Sequence, residues 1–280
     1  KSYNFSKRAT RPLYKNKLTF SYSKKKHYKA HQPNYEIAKN LSDTKKLVKD
    51  GIIIKESFLS SSQVDSILED YNDSLTQLKN GKYEGKSKNF YWPEKGFHRL
   101  YLNSYKNSDL HNNYTENAAA FLDSDYISNM AKSYLGNESS HFGGYIEYKC
   151  NLGKDKSYLY HTDHWRQRFK AFLYLTDVTE DHAPLYYLKG SHSTFDGWRF
   201  NHEYKNCYVG KSYGTIDPAL LKLLKKDYGY EEVCCTAKRG TLIIADVKGA
   251  HRGSLLKKGN IRIHMLNQFR NGFVKGKISS

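Results

Sequence analysis

Residues 240–251 read GTLIIADVKGAH. Gly240 suits a turn, and the apolar run after it has the length and the β-branched content of a buried strand. His251 follows just beyond the end of that run, where a side chain can meet residues from neighbouring strands. The stretch therefore predicts a β-rich core with a functional histidine at its edge.

A second histidine lies in the segment His161-Thr162-Asp163. On a strand, residues i and i+2 point to the same side, so His161 and Asp163 would present an imidazole and a carboxylate to one point. Such a pair arises easily by chance in a chain with 12 His and 28 acidic residues. Joined by His251 across a barrel, the pair becomes the set of two histidines and one carboxylate found in non-haem Fe(II) oxygenases, which leaves coordination positions open.

Arg262 lies on the strand-like run that follows His251. A guanidinium can bind a buried carboxylate through two parallel hydrogen bonds. 2-Oxoglutarate needs such a partner for its distal carboxylate, because its 2-oxo acid end chelates iron. The sequence therefore predicts Fe(II), 2-oxoglutarate and O₂ at this site, and it places His264 on the same strand face as Arg262.

The order of the predicted elements indicates the fold class α+β, mainly β. Helical patterns cover about 62–79 and 115–135, and short strand-like runs separated by turns dominate from Gly143 onward. Helices first and many strands later predict a barrel or sandwich with flanking N-terminal helices. We expect a single domain over residues 41–280, with a helical part at 41–140 and a β core at 141–272.

The N-terminal residues 1–40 show no sustained periodicity and predict a basic arm that is extended or disordered. Residues 1–35 hold ten Lys and Arg and no Asp or Glu, in a chain whose net charge is +18. Such an arm, with aromatic residues among its cations, could bind nucleic acid or another anionic surface. A non-catalytic binder built on an oxygenase-like scaffold is therefore the alternative to an enzyme.

Several segments between about residues 47 and 269 resemble the phytanoyl-CoA dioxygenase (PhyH)-like family of Fe(II)/2-oxoglutarate enzymes. Their order and spacing both fit that family. The segments are DGIIIKESFLSSSQVDSIL (50–68), HTDHW (161–165), FLYLTDVTEDHAPLYYLKGSH (172–192), RGTLIIADVKGAHRG (239–253) and GNIRIHMLNQFR (259–270).

The resemblance implies a double-stranded β-helix (jelly-roll, cupin-like) core. It implies that His161, Asp163 and His251 ligate iron, that Arg262 holds the distal carboxylate of 2-oxoglutarate, and that Phe172 lies near the co-substrate. No catalytic residue is expected beyond the metal site. A metal-binding cupin-like protein that does not use 2-oxoglutarate is a further alternative, against which Arg262 argues.

The resemblance has one departure, because Ala183 stands where the family usually has a glycine that helps a turn. The acidic ligand is retained as Asp163, so hydroxylation is favoured over halogenation. The substrate itself is not identified. We expect a small or carrier-linked metabolite, favour an anionic one because of the positive charge, and assign its contacts to Arg99 and Trp92 in the aromatic-basic segment 89–105.

No apolar run approaches the ~20 residues that a bilayer-spanning helix requires, and the first residues carry no apolar signal segment. The four cysteines form no CxxC pair. We therefore expect a cytoplasmic protein with reduced thiols and without a membrane span.

Overall fold

The computed structural model describes residues 16–36, 39, 41–79, 90–92, 96–102, 116–136, 139–150, 158–193, 196–208 and 214–271. The helices are α1 (Lys17–Ala30), α2 (Leu41–Asp50), α3 (Ser61–Lys79), α4 (Glu116–Leu122), α5 (Asp125–Leu135), α6 (Gly197–Tyr208) and α7 (Pro218–Lys226). The strands are β1 (Ile52–Lys55), β2 (Phe90–Trp92), β3 (Phe97–Leu102), β4 (Ser139–Cys150), β5 (His161–Thr162), β6 (Arg168–Tyr174), β7 (Tyr186–Leu188), β8 (Gly214–Thr215), β9 (Glu232–Cys234), β10 (Leu242–Asp246), β11 (His251–Arg252) and β12 (Ile261–Asn271). The chain is thus a mixture of helices and antiparallel sheets, as the sequence patterns predict.

Local side-chain chemistry sets where the predicted helices begin. Ser60 and Gln63 form a reciprocal capping box, in which the Ser60 Oγ accepts from the Gln63 N–H at 3.3 Å and the Gln63 Oε1 accepts from the Ser60 N–H at 2.9 Å. The helix predicted for 62–79 is confirmed as α3. The helix predicted for 115–135 is instead the pair α4 and α5, because Ser124 interrupts it and caps α5.

Two antiparallel sheets carry the strand-rich part of the chain. The larger has the order β1-β10-β6-β12-β4-β3-β2, and the smaller has the order β8-β5-β11-β7-β9. In the smaller sheet His251 lies opposite His161. In the larger sheet β6 and β12 run side by side for seven residue pairs, from His264 opposite Tyr174 to Arg270 opposite Arg168. This pairing brings into one sheet two segments that are far apart in sequence.

The two faces of the larger sheet have different neighbours. The helix face packs against α3, α4 and α5 and is apolar; its buried members include Phe169, Ala171, Leu173, Leu242, Ile244 and Met265. The inner face is opposite, because successive strand residues alternate in direction. There Tyr174 and Ile243 form a second core cluster with Tyr187 of the smaller sheet. The inner face therefore looks into the space between the two sheets.

The N-terminal arm is not extended along the part that the structure describes. Residues Lys17–Ala30 form α1, capped by Asn16, whose side chain accepts from the Thr19 N–H. The side of α1 that packs on the domain contains Phe20, Lys24, His27 and Tyr28, all of them buried. The prediction failed because two of these four inward-facing residues are basic, so the helical period is invisible in hydrophobicity. Residues 1–15 lie outside the described part, and the limits of the domain stay predictions.

Two further expectations can be compared with the structure. Among the described residues, none of the helices combines the length and the apolar character that a membrane crossing needs. Cys150, Cys234 and Cys235 are free thiols.

Candidate metal centre

His161, Asp163 and His251 meet where β5 and β11 pair. The two histidine rings lie with centroids 4.3 Å apart. The Asp163 Oδ1 lies 3.7 Å from the His161 Nε2 and 3.8 Å from the His251 Nε2. One ligand-capable atom from each residue falls within 4.8 Å of the others, so the three could hold a metal ion. The sequence placed Asp163 on a strand with His161, whereas β5 ends at Thr162 and Asp163 comes directly after it.

Backbone carbonyls orient both imidazoles. The His161 Nδ1 lies 2.8 Å from the Leu159 carbonyl oxygen, and the His251 Nδ1 lies 2.9 Å from the Gly249 carbonyl oxygen. A carbonyl oxygen can only accept, so each Nδ1 carries the proton and each Nε2 keeps a lone pair that faces Asp163. Burial, and then the nearby His161, lower the pKa of His251 to about 3. His251 is therefore neutral at physiological pH, which is the form that ligates metal.

Lys170 contacts Asp163, the third candidate ligand. Its Nζ donates to the Asp163 Oδ2 at 2.6 Å, which leaves Oδ1 facing the histidines. Burial alone would raise the pKa of the Asp163 carboxyl, but Lys170, His251 and His161 together hold it well below its usual range. Asp163 is therefore a carboxylate with one oxygen engaged and one available. Sequence reasoning missed Lys170, although a lysine two residues before Phe172 in a buried strand was a signal that its side chain enters the core.

Arg262 lies on the inner face of β12 and is 8% exposed. Its Nη1 donates to the Ala183 carbonyl oxygen. Its Nη2 lies 3.9 Å from the Glu147 Oε1, and its buried Nε has no hydrogen-bond partner among the described residues. One edge of the guanidinium thus remains unsatisfied, as expected of a group that awaits an anion.

Ala183 supplies that carbonyl from an unusual backbone conformation. Its φ is 58°, in the left-handed region that favours glycine. Ala183 therefore differs from the family glycine in residue type, whereas its backbone keeps the left-handed conformation that glycine adopts easily. A left-handed alanine costs about 1 kcal/mol. The fold tolerates this cost at the residue that contacts Arg262.

Glu147 is a buried carboxylate on β4 and is not among the site residues predicted from the sequence. Burial would raise the pKa of its carboxyl, but Lys149, His264, Arg99 and Arg262 hold it well below its usual range. The Lys149 Nζ lies 2.9 Å from the Glu147 Oε1. Arg99 binds the other oxygen of the carboxylate, with its Nε 2.9 Å from Oε2. This end of the inner face is therefore a network of cations around one anion.

The remaining predicted residues fall in different places. The Phe172 ring projects from the inner face, with its centroid 6.0 Å from that of His264, and Phe172 lies two residues from Lys170 on β6. On the inner face of β6, Phe172 therefore lies between Lys170, which contacts Asp163, and the cations around Glu147. Arg99 stacks on Tyr145, its Cζ 4.3 Å from the ring centroid, besides binding Glu147. Trp92 belongs to β2, and its side chain lies outside the described part of the chain.

Comparison with known proteins gives the site a context. The chain matches the family model of phytanoyl-CoA dioxygenase (PhyH) over residues 47–255. It is similar to the crystal structure of EctD from S. alaskensis with bound Fe, at 15% identity and a TM-score of 0.59, over 86% of this chain and 83% of that one. It is similar to the non-haem alpha-ketoglutarate-dependent carbocyclase SnoK from nogalamycin biosynthesis, at 15% identity and a TM-score of 0.55, over 85% of this chain and 90% of that one. No curated protein gives a significant match.

At these identities the structural similarity shows a shared fold. The match to the family model shows more than a shared fold, because it covers most of the chain and includes His161, Asp163 and His251. Arg262 lies just beyond its end. The chain therefore belongs to the phytanoyl-CoA dioxygenase (PhyH) family.

Proposed function

We propose that this protein is an Fe(II)- and 2-oxoglutarate-dependent dioxygenase that hydroxylates a small or carrier-linked metabolite and releases succinate and CO₂. The observation that carries the proposal is the meeting of His161, Asp163 and His251, whose ligand-capable atoms lie within 4.8 Å of one another. The similarity to EctD with 2-oxoglutarate and 5-hydroxyectoine, at a TM-score of 0.57, supports it. The two antiparallel sheets facing each other support the jelly-roll arrangement that we propose for the core.

The donor set fits Fe(II). His161 and His251 offer neutral Nε2 lone pairs, and Asp163 offers one carboxylate oxygen, which is the facial set of non-haem iron oxygenases. The Nδ1–H contacts with backbone carbonyls fix the rings before metal arrives. Bound iron, with 2-oxoglutarate and O₂, supplies the oxidising power that breaks a substrate C–H bond.

Arg262 fits the distal carboxylate of 2-oxoglutarate. Its Nη1 is taken by the Ala183 carbonyl oxygen, so the Nε edge, which has no hydrogen-bond partner among the described residues, is the part left to bind a carboxylate. Glu147 would repel such a carboxylate, but Lys149 and Arg99 bind and neutralise it. Lys149 and Arg99 therefore keep the electrostatic potential near Arg262 favourable for an anion. We retain a direct substrate contact by Arg99 or Trp92 as a proposal.

The alternative, a non-catalytic binder of nucleic acid or another anionic surface, has weaker support. Lys24 of the arm points into the domain, where its Nζ lies 2.6 Å from the Glu203 Oε2. Deleting residues 1–35 would remove buried Phe20 and Tyr28, so it would test stability rather than surface binding. Replacing the exposed Lys25 and Lys26 by Gln is the better test, because a surface binder should then lose salt-dependent affinity while the enzyme should not.

The experiment for the enzyme measures succinate formation from 2-oxoglutarate with Fe(II) and ascorbate under air. His161→Ala should abolish both activity and Fe(II) binding. His141→Ala is the matched control, because His141 pairs with Phe269 at the helix face rather than with the metal centre. Fe(II) binding that survives the loss of His161, Asp163 and His251 together would refute the proposal.

A further inference from the structure

Two arginines stand side by side next to the metal centre. Arg168 begins β6, and Arg270 lies directly opposite it on β12. Residues opposite each other in an antiparallel pair project to the same face, with Cβ atoms about 5 Å apart. Phe169 and Phe269 beside them point to the helix face, where their rings meet edge to face at 5.7 Å. Arg168 and Arg270 therefore project from the inner face.

The position of this pair is close to Asp163. Lys170 is the next inner-face residue of β6 after Arg168, and its Nζ contacts Asp163. Burial lowers the pKa of the Arg168 guanidinium; Asp163 opposes that shift, while Arg270 and Arg166 add to it. Arg168 is thus within electrostatic range of Asp163, Arg270 and Arg166. Arg262 is on the same strand as Arg270 but eight positions away, about 27 Å along an antiparallel strand.

The Arg270 guanidinium stacks on Phe142, its Cζ 4.2 Å from the ring centroid. Like charges opposite each other on neighbouring strands repel, and partial burial makes the repulsion stronger. Arg166 adds a third guanidinium, stacked with its Cζ 4.8 Å from the Trp165 ring centroid. The nearby carboxylate of Asp163 is already engaged by Lys170. Guanidinium groups gathered at one place suit the binding of a carboxylate or a phosphate.

We propose that Arg168 and Arg270 bind an anionic group of the substrate, a phosphate or a carboxylate, on the side of the metal centre away from Arg262. The inference rests on the proposed function, because it assigns Arg262 to the co-substrate. It makes the substrate an oxyanion-bearing metabolite, held by its charged group while a C–H bond elsewhere in it faces the metal. It also separates the two anions of the reaction, one at each end of the inner face.

The test uses full-length protein loaded anaerobically with Fe(II) and 2-oxoglutarate. Inorganic phosphate and acetate are titrated separately by calorimetry at constant ionic strength. We expect saturable binding of at least one of these two anions. Tighter binding of phosphate would identify a phosphate as the group recognised, and tighter binding of acetate would identify a carboxylate. R168Q and R270E should weaken it at least tenfold. R239Q is the matched control, because Arg239 is a surface arginine paired with Asp65. The anion affinity of R239Q should stay within twofold of the wild-type value.

R270E also distinguishes a binding role from a structural one. It reverses the charge opposite Arg168, so anion binding should fall while Fe(II) and 2-oxoglutarate still load as in the wild-type protein. The proposal is overturned if neither anion saturates the wild-type protein, if R168Q binds like R239Q, or if R270E loads normally and binds the anion as tightly as the wild-type protein. Loading with Fe(II) and 2-oxoglutarate is measured first. Failure to load counts against the proposed function, whereas normal loading without binding that depends on Arg168 counts against this inference alone.

Discussion

On β6, Phe169, Ala171 and Leu173 point to the helix face and are fully buried, whereas Lys170 and Phe172 point to the inner face. The same strand thus contributes an apolar surface to one side and charged or aromatic side chains to the other. The difference shows how alternation within a strand separates stability from chemistry. Substitutions one residue apart should therefore have different consequences, and the following predictions test that separation.

The largest effect on stability is expected from Leu173→Ala. Leu173 is fully buried in the helix-face core, so the lost contacts and the cavity should cost about 2–5 kcal/mol of unfolding free energy. The affinity for Fe(II) should stay within twofold of wild type. Urea unfolding and metal titration measure the two quantities. A large loss of metal affinity in the folded variant would show that the two faces are coupled.

Arg262→Met should have the opposite pattern to Leu173→Ala, with weaker co-substrate binding and little change in stability. It removes the guanidinium proposed to bind 2-oxoglutarate, and we expect at least a hundredfold weaker co-substrate binding, about 2.7 kcal/mol. Unfolding free energy should change little, because Glu147 keeps Lys149 and Arg99 as partners. Calorimetric titration of the iron-loaded protein with 2-oxoglutarate measures the effect. Unchanged affinity would favour a metal-binding protein that does not use this co-substrate.

Lys170→Met tests the residue that positions Asp163, the proposed acidic ligand. Without the 2.6 Å contact, Asp163 is less well positioned, and we expect metal affinity to fall about 10–100-fold. Lys189→Met is the matched control, because Lys189 makes an exposed ion pair with Glu231. Equal Fe(II) affinity in the two variants would contradict a positioning role for Lys170.

The last prediction is a pH dependence, which develops gradually over a range of pH rather than at one substitution. Burial lowers the pKa of His27 to about 3 and that of His192 to about 4, from an ordinary 6.5. The unfolded chain can take up protons there that the folded chain resists. These two histidines should therefore make the unfolding free energy fall below pH 6.5, by at most about 1.4 kcal/mol per pH unit for each histidine. Urea unfolding at pH 7.5 and pH 5 measures the slope, and His27→Gln should make it shallower; an unchanged slope would contradict this assignment.

The sequence was informative where the site depends on local spacing. His161 and Asp163 are two residues apart, and His251 follows directly after a buried strand, so the chain itself brings each toward the edge of the core. The family resemblance added the expectation that these elements meet. The described structure agrees, with β5 and β11 paired through the two histidines.

What could not be predicted depends on contacts between distant segments. Glu147 becomes part of the Arg262 environment only because β4 pairs with β12 in a register that a bulge near Gln268 interrupts. Lys170 reaches Asp163 from the opposite sheet. Neither register nor sheet packing is visible in residue spacing. Helix α1 was missed for another reason, because it buries Lys24 and His27 where a hydrophobic pattern requires apolar residues.

The placement of α1 also connects the start of the chain to the metal centre. The Tyr28 hydroxyl donates to the Trp165 carbonyl oxygen at 2.7 Å, and Phe20 meets the Trp165 ring edge to face. Trp165 lies two residues after Asp163, so this helix braces the segment that carries the acidic ligand. A partner or a protease that displaced α1 would remove these contacts and loosen the segment around Trp165, although Tyr28 and Trp165 are 137 positions apart in sequence. Occupancy of the proposed metal site would then depend on the position of α1, although this helix is far in sequence from His161, Asp163 and His251.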